Sequence, residues 1–298
     1  MSKKVLISIL GWEDRFEKGC EYDYNNYKFD ECILFYYKDY FEQTKTSFEY
    51  VSKFCKLNGV SLAMPKLNSE DALENWKTIE DVMEILGERE IEILFDISTP
   101  PRETLWTILF FLKKAVSKMP YIYHKPHSYS EDWLSREPGN PRLLFKHSGL
   151  IRFEKSTLPF IVTGFDTERI KQLIGFYEPK KIVMLVQEGT QFRNSERNSD
   201  KIRAEIMHND VEIYFSNSFE LNRSYEDIKN ILYKNIGEYN VAAISLGPKI
   251  SGLSLYKYYD ENPFMALCYV PYKEYNVNYS KGWDGAISGT LELIEPRN

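Results

Sequence analysis

Phe95-Asp96-Ile97-Ser98-Thr99-Pro100-Pro101-Arg102, followed by Glu103-Thr104-Leu105-Trp106, has a counterpart further along the chain. That counterpart is Ala243-Ile244-Ser245-Leu246-Gly247-Pro248-Lys249, followed by Ile250-Ser251-Gly252-Leu253. Each stretch is an apolar run, a Ser- or Thr-bearing turn with Pro or Gly, one basic residue and an amphipathic helical pattern. Each leads to a short apolar strand and a Tyr/Pro segment, Tyr123-His124-Lys125-Pro126-His127-Ser128-Tyr129 and Tyr269-Val270-Pro271-Tyr272-Lys273-Glu274-Tyr275. Ser98 and Ser245 lie 147 residues apart, Pro126 and Pro271 145, and Gly11 and Gly164 153. Landmarks recurring in one order at nearly one period predict an internal duplication.

Working outward, the first half alternates strand and helix. Val5–Leu10, Ile33–Tyr37, Val60–Met64, Ile91–Phe95 and Tyr121–Tyr123 read as strands, from apolar runs rich in branched residues. Helices are expected over 44–57, over 70–87 with Ser69 as cap, and from Pro101 to about Ser117. Residues 17–30, rich in Tyr and Asn, read as a loop or an irregular helix. Arg136-Glu137-Pro138-Gly139-Asn140-Pro141 punctuates the exit from this half.

The second half repeats the rhythm. Strands are expected at Leu158–Thr163, Lys181–Val186, Val211–Phe215, Val241–Ile244 and Phe264–Tyr269. The intervening helices are expected from Arg169, over 195–208, over 224–236 and over 250–260. Strands alternating with helices imply right-handed crossovers and mainly parallel sheets. The expected fold is α/β, two tandem Rossmann-like units related by a pseudo-two-fold, spanning 1–140 and 141–298.

Composition narrows the function classes. The chain has 298 residues, 43% hydrophobic and 28% charged, which is globular. Its net charge of -6 disfavours a coat along nucleic-acid backbone, although a few local donors can still hold a small anion. Cys20, Cys32, Cys55 and Cys268 are scattered, without CxxC or a His at zinc spacing, so no metal or cofactor is expected. No apolar stretch is long enough to span a membrane, and the run after Lys3 and Lys4 is too short for a signal peptide. A reducing cytoplasm is the expected setting.

In an open parallel sheet of order 3-2-1-4-5, ligands bind beyond the carboxyl ends of strands one and four. That assumed order sets Gly11–Arg15 against Asp96–Arg102, and Gly164–Arg169 against Ser245–Lys249. Gly247 permits close backbone approach, and the following helix N-terminus favours an anion. Arg102 and Lys249 add charge, while Ser98, Thr99 and Ser245 add hydroxyls; the two serines serve equally as helix caps. Candidate ligand-binding residues are therefore Gly11, Trp12, Arg15, Asp96, Ser98, Thr99, Arg102, Gly164, Asp166, Arg169, Ser245, Gly247 and Lys249. Glu13, Asp14, Asp96, Asp166 and Glu168 either orient Arg15 and Arg169 or meet ribose hydroxyls or a cation. Trp12 and Phe165 are core staples or stacking surfaces, and Tyr129, Trp133, Tyr272 and Tyr275 are candidate rim residues.

At Asp96–Arg102 and Ser245–Lys249 the chain resembles the CARF family, the CRISPR-associated Rossmann-fold sensors, and related paired sensor domains of antiphage systems. The resemblance implies two paired domains with a cyclic oligonucleotide across the joint. Ser245, Gly247 and Lys249 carry the family pattern best. In the first half, Ser98, Thr99 and Arg102 carry it, with prolines where glycine is expected.

Three functions follow as alternatives. One is a sensor for a small anionic nucleotide-like ligand, signalling to a separate effector protein. Another is a metal-independent enzyme of ring-nuclease type, whose catalytic residues the sequence leaves unassigned. The third is a structural subunit docking through its aromatic surface and the strand-like tail Thr290–Ile294.

Overall fold

The computed structural model describes residues 2–130, 133–164, 166–188, 206 and 210–294. The elements run β1 (Lys3–Ile9), α1 (Asp14–Tyr27), β2 (Glu31–Tyr37), α2 (Phe41–Asn58), β3 (Ser61–Ala63), β4 (Lys66–Leu67), α3 (Ala72–Gly87), β5 (Ile91–Asp96), α4 (Arg102–Ala115), β6 (Lys118–His124) and β7 (Ser128–Tyr129). They continue β8 (Ser135–Pro138), β9 (Arg142–Leu143), β10 (Thr157–Val162), α5 (Thr167–Tyr177), β11 (Ile182–Glu188), β12 (Val211–Asn217), α6 (Leu221–Asn235), β13 (Asn240–Ser245), α7 (Lys249–Glu261) and β14 (Ala266–Tyr269). β15 (Tyr272–Tyr275), β16 (Ser280–Lys281) and β17 (Ala286–Glu292) close the order. Of the expected helix over 195–208 only Ile206, helical and buried, lies among the described residues, and Phe165 lies outside them.

Two compact units result, 1–131 with 277–298, and 132–276. The first sheet runs β17-β6-β5-β1-β2-β3, with β4 also on β2. Its five core strands are parallel, and β17 is antiparallel to β6 over Ala286–Glu292. The second sheet runs β12-β11-β10-β13-β14-β9, parallel apart from the edge pair β14–β9. Counted along the core strands, both orders are 3-2-1-4-5, the Rossmann-like arrangement expected. The expected boundary at 140/141 places 277–298 with the second half, and the structure corrects this. In the structure, β17 extends the first sheet, where Leu291 is fully buried.

Local chemistry explains the other differences. Residues 14–27 form a regular helix whose polar Tyr/Asn pattern conceals a buried face of Arg15, Phe16, Gly19, Cys20 and Asp23. A helix facing a polar network lacks the apolar stripe by which a sequence reveals it. Asp71, not Ser69, caps α3, accepting from the backbone N–H groups of Leu73 and Glu74. Ser135–Pro138 is a strand, pairing with β15 as β7 pairs with β16. The Tyr/Pro segment after each fifth core strand therefore becomes one arm of a small ribbon.

The first core gathers Leu6, Phe16, Leu34, Val51 and Ile122, together with Cys20, Cys32 and Cys55. The second gathers Ile161, Leu173, Met184, Ile244 and Cys268. All four cysteines are free and buried. Burial pushes the Cys20 thiol well above its ordinary value, which leaves it unreactive.

Candidate functional site

The loops after the first and fourth core strands meet in each unit. A β-carbon on Gly11 would lie 2.5 Å from Thr99 Cγ2, and one on Gly164 only 2.0 Å from the Leu246 carbonyl oxygen. Both glycines are needed for this close approach. The loops then open their helices alike. Pro101 (φ -55, ψ 153) precedes α4, and Pro248 (φ -56, ψ 158) precedes α7. Arg102 and Lys249 are the first helical residues. The N-cap position of each helix is held by its proline, which makes no side-chain cap bond.

In the first unit this edge is filled by the protein itself. Ser8 Oγ donates to Asp96 Oδ2 at 2.9 Å, while the backbone N–H and hydroxyl of Ser98 donate to Asp96 Oδ1 at 2.9 and 2.5 Å. Ser98 Oγ accepts the His124 backbone N–H, and Thr99 Oγ1 donates to the Ile9 carbonyl. Arg15, 2% exposed, donates to Glu13 at 2.5 Å, to the His124 carbonyl at 2.7 Å and to the Ser98 carbonyl at 3.4 Å. Glu13 also accepts from Tyr279 at 2.7 Å and from Ser280. Burial raises the Glu13 carboxyl, but the Arg15 charge and the hydrogen bonds from Arg15, Ser280 and Tyr279 together hold the group below its ordinary value. Arg102 is buried, and Trp12 packs against Tyr40 with ring centroids 5.9 Å apart. Asp14, at the helix start, accepts the Gly282 backbone N–H.

Beneath this network lies a constellation that spacing does not reveal. Asp23, Asp96 and His124 bring potential ligand atoms within 4.8 Å of one another, all buried. His124 Nε2 lies 3.1 Å from Asp23 Oδ1, and the Trp283 indole N–H points at Nδ1 over 3.3 Å. An indole only donates, so Nδ1 accepts and the ring proton sits on Nε2, directed at Asp23. The nitrogen a cation would need is therefore engaged in a hydrogen bond, and these residues fit a proton-sharing pair better than a metal centre. Desolvation pushes the Asp23 carboxyl up to about 7. Gly19 makes the packing possible, because a β-carbon there would fall 2.6 Å from the His124 ring.

The second edge repeats the arginine device. Asp166 accepts the Arg169 backbone N–H and its Nε–H, both at 3.1 Å. Arg169 Nη1 donates to the Val270 carbonyl at 3.4 Å, and its guanidinium stacks 3.7 Å over Tyr272. Asp166 thus caps α5 and orients Arg169, as Glu13 orients Arg15. Glu168 pairs with Lys171 instead. Ser245 is buried, whereas Gly247 and Lys249 are half-buried. A β-carbon on Gly247 would meet the Thr163 carbonyl at 2.8 Å, Ser251 Oγ at 3.0 Å and Gln187 Nε2 at 3.2 Å. Sequence reading missed Gln187. It carries no motif, and only the return of the chain after β13 brings it to the Gly247 turn.

Of the expected rim residues, Trp133 lies under the Arg136 guanidinium at 4.4 Å, Tyr272 lies under Arg169, and Tyr275 meets Tyr272 edge-on at 5.6 Å. Tyr129 stacks on Tyr279 at 6.2 Å in the first unit. A separate cavity of about 400 Å³ lies at the amino ends of the first sheet's strands, lined by Lys4, Phe29, Ile93, Val116 and Pro120. It is remote from the carboxyl edge and its switch-point chemistry. Among the described residues, no helix is long and apolar enough to cross a membrane.

No protein-family model and no curated protein sequence matches this chain. Among solved structures it is similar to a type III CRISPR defence DNA nuclease activated by cyclic oligoadenylate, at 9% identity and a TM-score of 0.50. That likeness covers 85% of this chain and 63% of the other, so this chain spans less than two thirds of that protein's length. Matches to the cytoplasmic domain of a prokaryotic cation chloride cotransporter and to UDP-GlcNAc 2-epimerase from Neisseria meningitidis bound to UDP-GlcNAc have TM-scores of 0.27 and 0.26. They cover 93% and 81% of this chain and 99% and 77% of those chains, at 10% and 8% identity. The first likeness supports the fold; the other two carry no argument.

Proposed function

We propose that the chain is a sensor for a small anionic, nucleotide-derived ligand of cyclic-oligoadenylate type, acting in antiviral defence and signalling to a separate effector protein. The observation that carries this reading is the corner at Gly164, Gly247 and Lys249. There a glycine turn opens the N-terminus of α7 at the switch point of a parallel sheet, with a half-buried lysine at the first helical position. Such a corner offers an anion backbone N–H groups, a dipole end and a cation together.

The fold likeness to a nuclease activated by cyclic oligoadenylate supports the ligand class. Its nuclease activity belongs to that protein. In this reading the second unit holds the ligand edge. In the first unit, Arg15, Asp96 and Ser98 are drawn into internal bonding, which makes that edge a structural counterpart. Descent of both units from one duplicated ancestor is part of the same proposal.

The test is thermal stability of the purified chain against cyclic di-, tri- and tetra-adenylate. A ligand at about 100 times its dissociation constant raises stability by about 2.7 kcal/mol. The expected result is a shift with one cyclic species, absent in Lys249→Ala, with the ligand's mass unchanged after incubation. No shift with any of them overturns the sensor reading, and cleavage of the ligand replaces it with the enzyme reading.

A further inference from the structure

The carboxyl ends of β12, β11, β10 and β13 stand side by side in that order. Gln187 near the end of β11 is level with Ser216 on β12, so their side chains share a face. Gln187 is 7% exposed, and its Nε2 lies 3.2 Å from where a β-carbon on Gly247 would stand. β10, which lies between, continues into Gly164, where the Leu246 and Gly247 backbone comes within 3.4 Å of the would-be β-carbon.

This row contains buried polar atoms without a protein partner. They are Gln187 Oε1, Ser216 Oγ and, two residues on, Ser218 Oγ. Both serines are fully buried. Gln187 Nε2 donates to the Leu185 carbonyl over 3.4 Å, which identifies the nitrogen and leaves the oxygen as the vacant group. A folded chain rarely leaves such groups unmet, and three in one row call for a partner from outside.

The vacant Gln187 atom is an acceptor. A fully ionised phosphate also only accepts, so the group seated here must bring an N–H or O–H of its own. We infer that Gln187, Ser216 and Ser218 form a polar shelf that reads the hydroxyl- or amine-bearing part of a phosphorylated ligand, beside the anion corner at Gly247 and Lys249. From β12 to β13 is three strand spacings, about 14 Å. A nucleoside phosphate spans that distance and a bare phosphate or pyrophosphate does not. The inference rests on the second edge being the ligand edge, and it adds that the ribose or base, as well as the phosphate, is recognised.

Calorimetric titration of the full chain with cyclic tetra-adenylate, adenosine 5′-monophosphate and inorganic pyrophosphate tests this. The wild type is expected to prefer at least one adenosine compound over pyrophosphate by about tenfold or more. Gln187→Leu, of similar volume, should reduce that preference to within about threefold while leaving pyrophosphate affinity and thermal stability intact. Lys249→Ala should weaken all ligands that bind. If the wild type binds none of the three, the ligand-edge reading fails and takes this inference with it. If adenosine compounds bind and Gln187→Leu keeps the preference, the shelf is overturned and the ligand edge stands. Equal wild-type affinity for pyrophosphate and the adenosine compounds also overturns it, because the shelf then holds only water. Marked destabilisation by Gln187→Leu without ligand would assign the side chain to the fold and overturn the inference. The smaller Ser216→Ala and Ser218→Ala changes, read on the same scale, provide a second measure.

Discussion

Gly164 and Leu246 approach so closely that a β-carbon on residue 164 would stand 2.0 Å from the Leu246 carbonyl oxygen. Backbone cannot yield as a flexible side chain does. Gly164→Ala should destabilise the chain by about 1–3 kcal/mol and weaken binding at the Gly247 turn. Gly175, inside α5, has nothing within 4 Å of its would-be β-carbon. Gly175→Ala should instead stabilise by up to about 1 kcal/mol. Denaturant titrations of the two variants check the contrast, and equal effects would contradict it.

The Glu13–Arg15 pair is buried on both sides. Glu13→Ala strands a buried guanidinium and leaves Tyr279 and Ser280 without their acceptor, for a loss of about 3–5 kcal/mol. Chemical denaturation measures it; a change below about 1 kcal/mol would show that the network does not support the first unit.

Trp283 closes the His124–Asp23 pair from the chain's end. Trp283→Phe keeps the ring but removes the donor to His124 Nδ1, with an expected cost of about 1–3 kcal/mol. Truncation after Asn276 removes β16 and β17 entirely. It should leave the first unit unable to fold cooperatively, because β6 then loses its neighbour along Lys118–His124. Circular dichroism and thermal melts of both variants test this, and a truncated chain with two-state melting and native helix content would overturn it.

The pH dependence carries two opposite signs. Asp23 is held above its ordinary value by burial, up to about 7, so the folded state binds a proton that the unfolded state has released. That contribution is present below about 4 and is lost as pH rises towards about 7. The His124 pKa is also raised: burial opposes this, but the Asp23 hydrogen bond and the Asp96 and Asp23 charges together outweigh it. Its contribution has the same sign, present below about 6.5 and lost above it. Glu13, held low, contributes stability at neutral pH that is lost in acid below about 4. Wild-type stability measured against Asp23→Asn should therefore fall steadily between pH 4 and 8. A flat difference across that range would remove the pair as the cause.

Much of the architecture was legible because buried parallel strands are nearly continuous apolar runs, as at Val5–Leu10 and Val241–Ile244. The meeting, within each unit, of the loops after the first and fourth core strands was legible too, since it needs only the strand order and a glycine on one side. The pairing of acids with Arg15 and Arg169 was foreseen as one alternative. Its completeness in the first unit was not. Glu13 is joined there by Tyr279 and Ser280, more than 260 residues along the chain.

By itself, the sequence determined the α/β rhythm, the switch-point loops and the basic residues that open α4 and α7, because each is encoded in a run of neighbouring residues. Tertiary structure alone decided which sheet receives the C-terminal strand and how the Glu13–Arg15 network fills the first edge. It also decided that Gln187 reaches the Gly247 turn and that Asp23 meets His124. The physical reason is that a hydrogen bond or a burial penalty depends on distance in space. Strands adjacent in the sheet need not be adjacent in the chain, so side chains without any motif acquire their roles only when the sheet has formed.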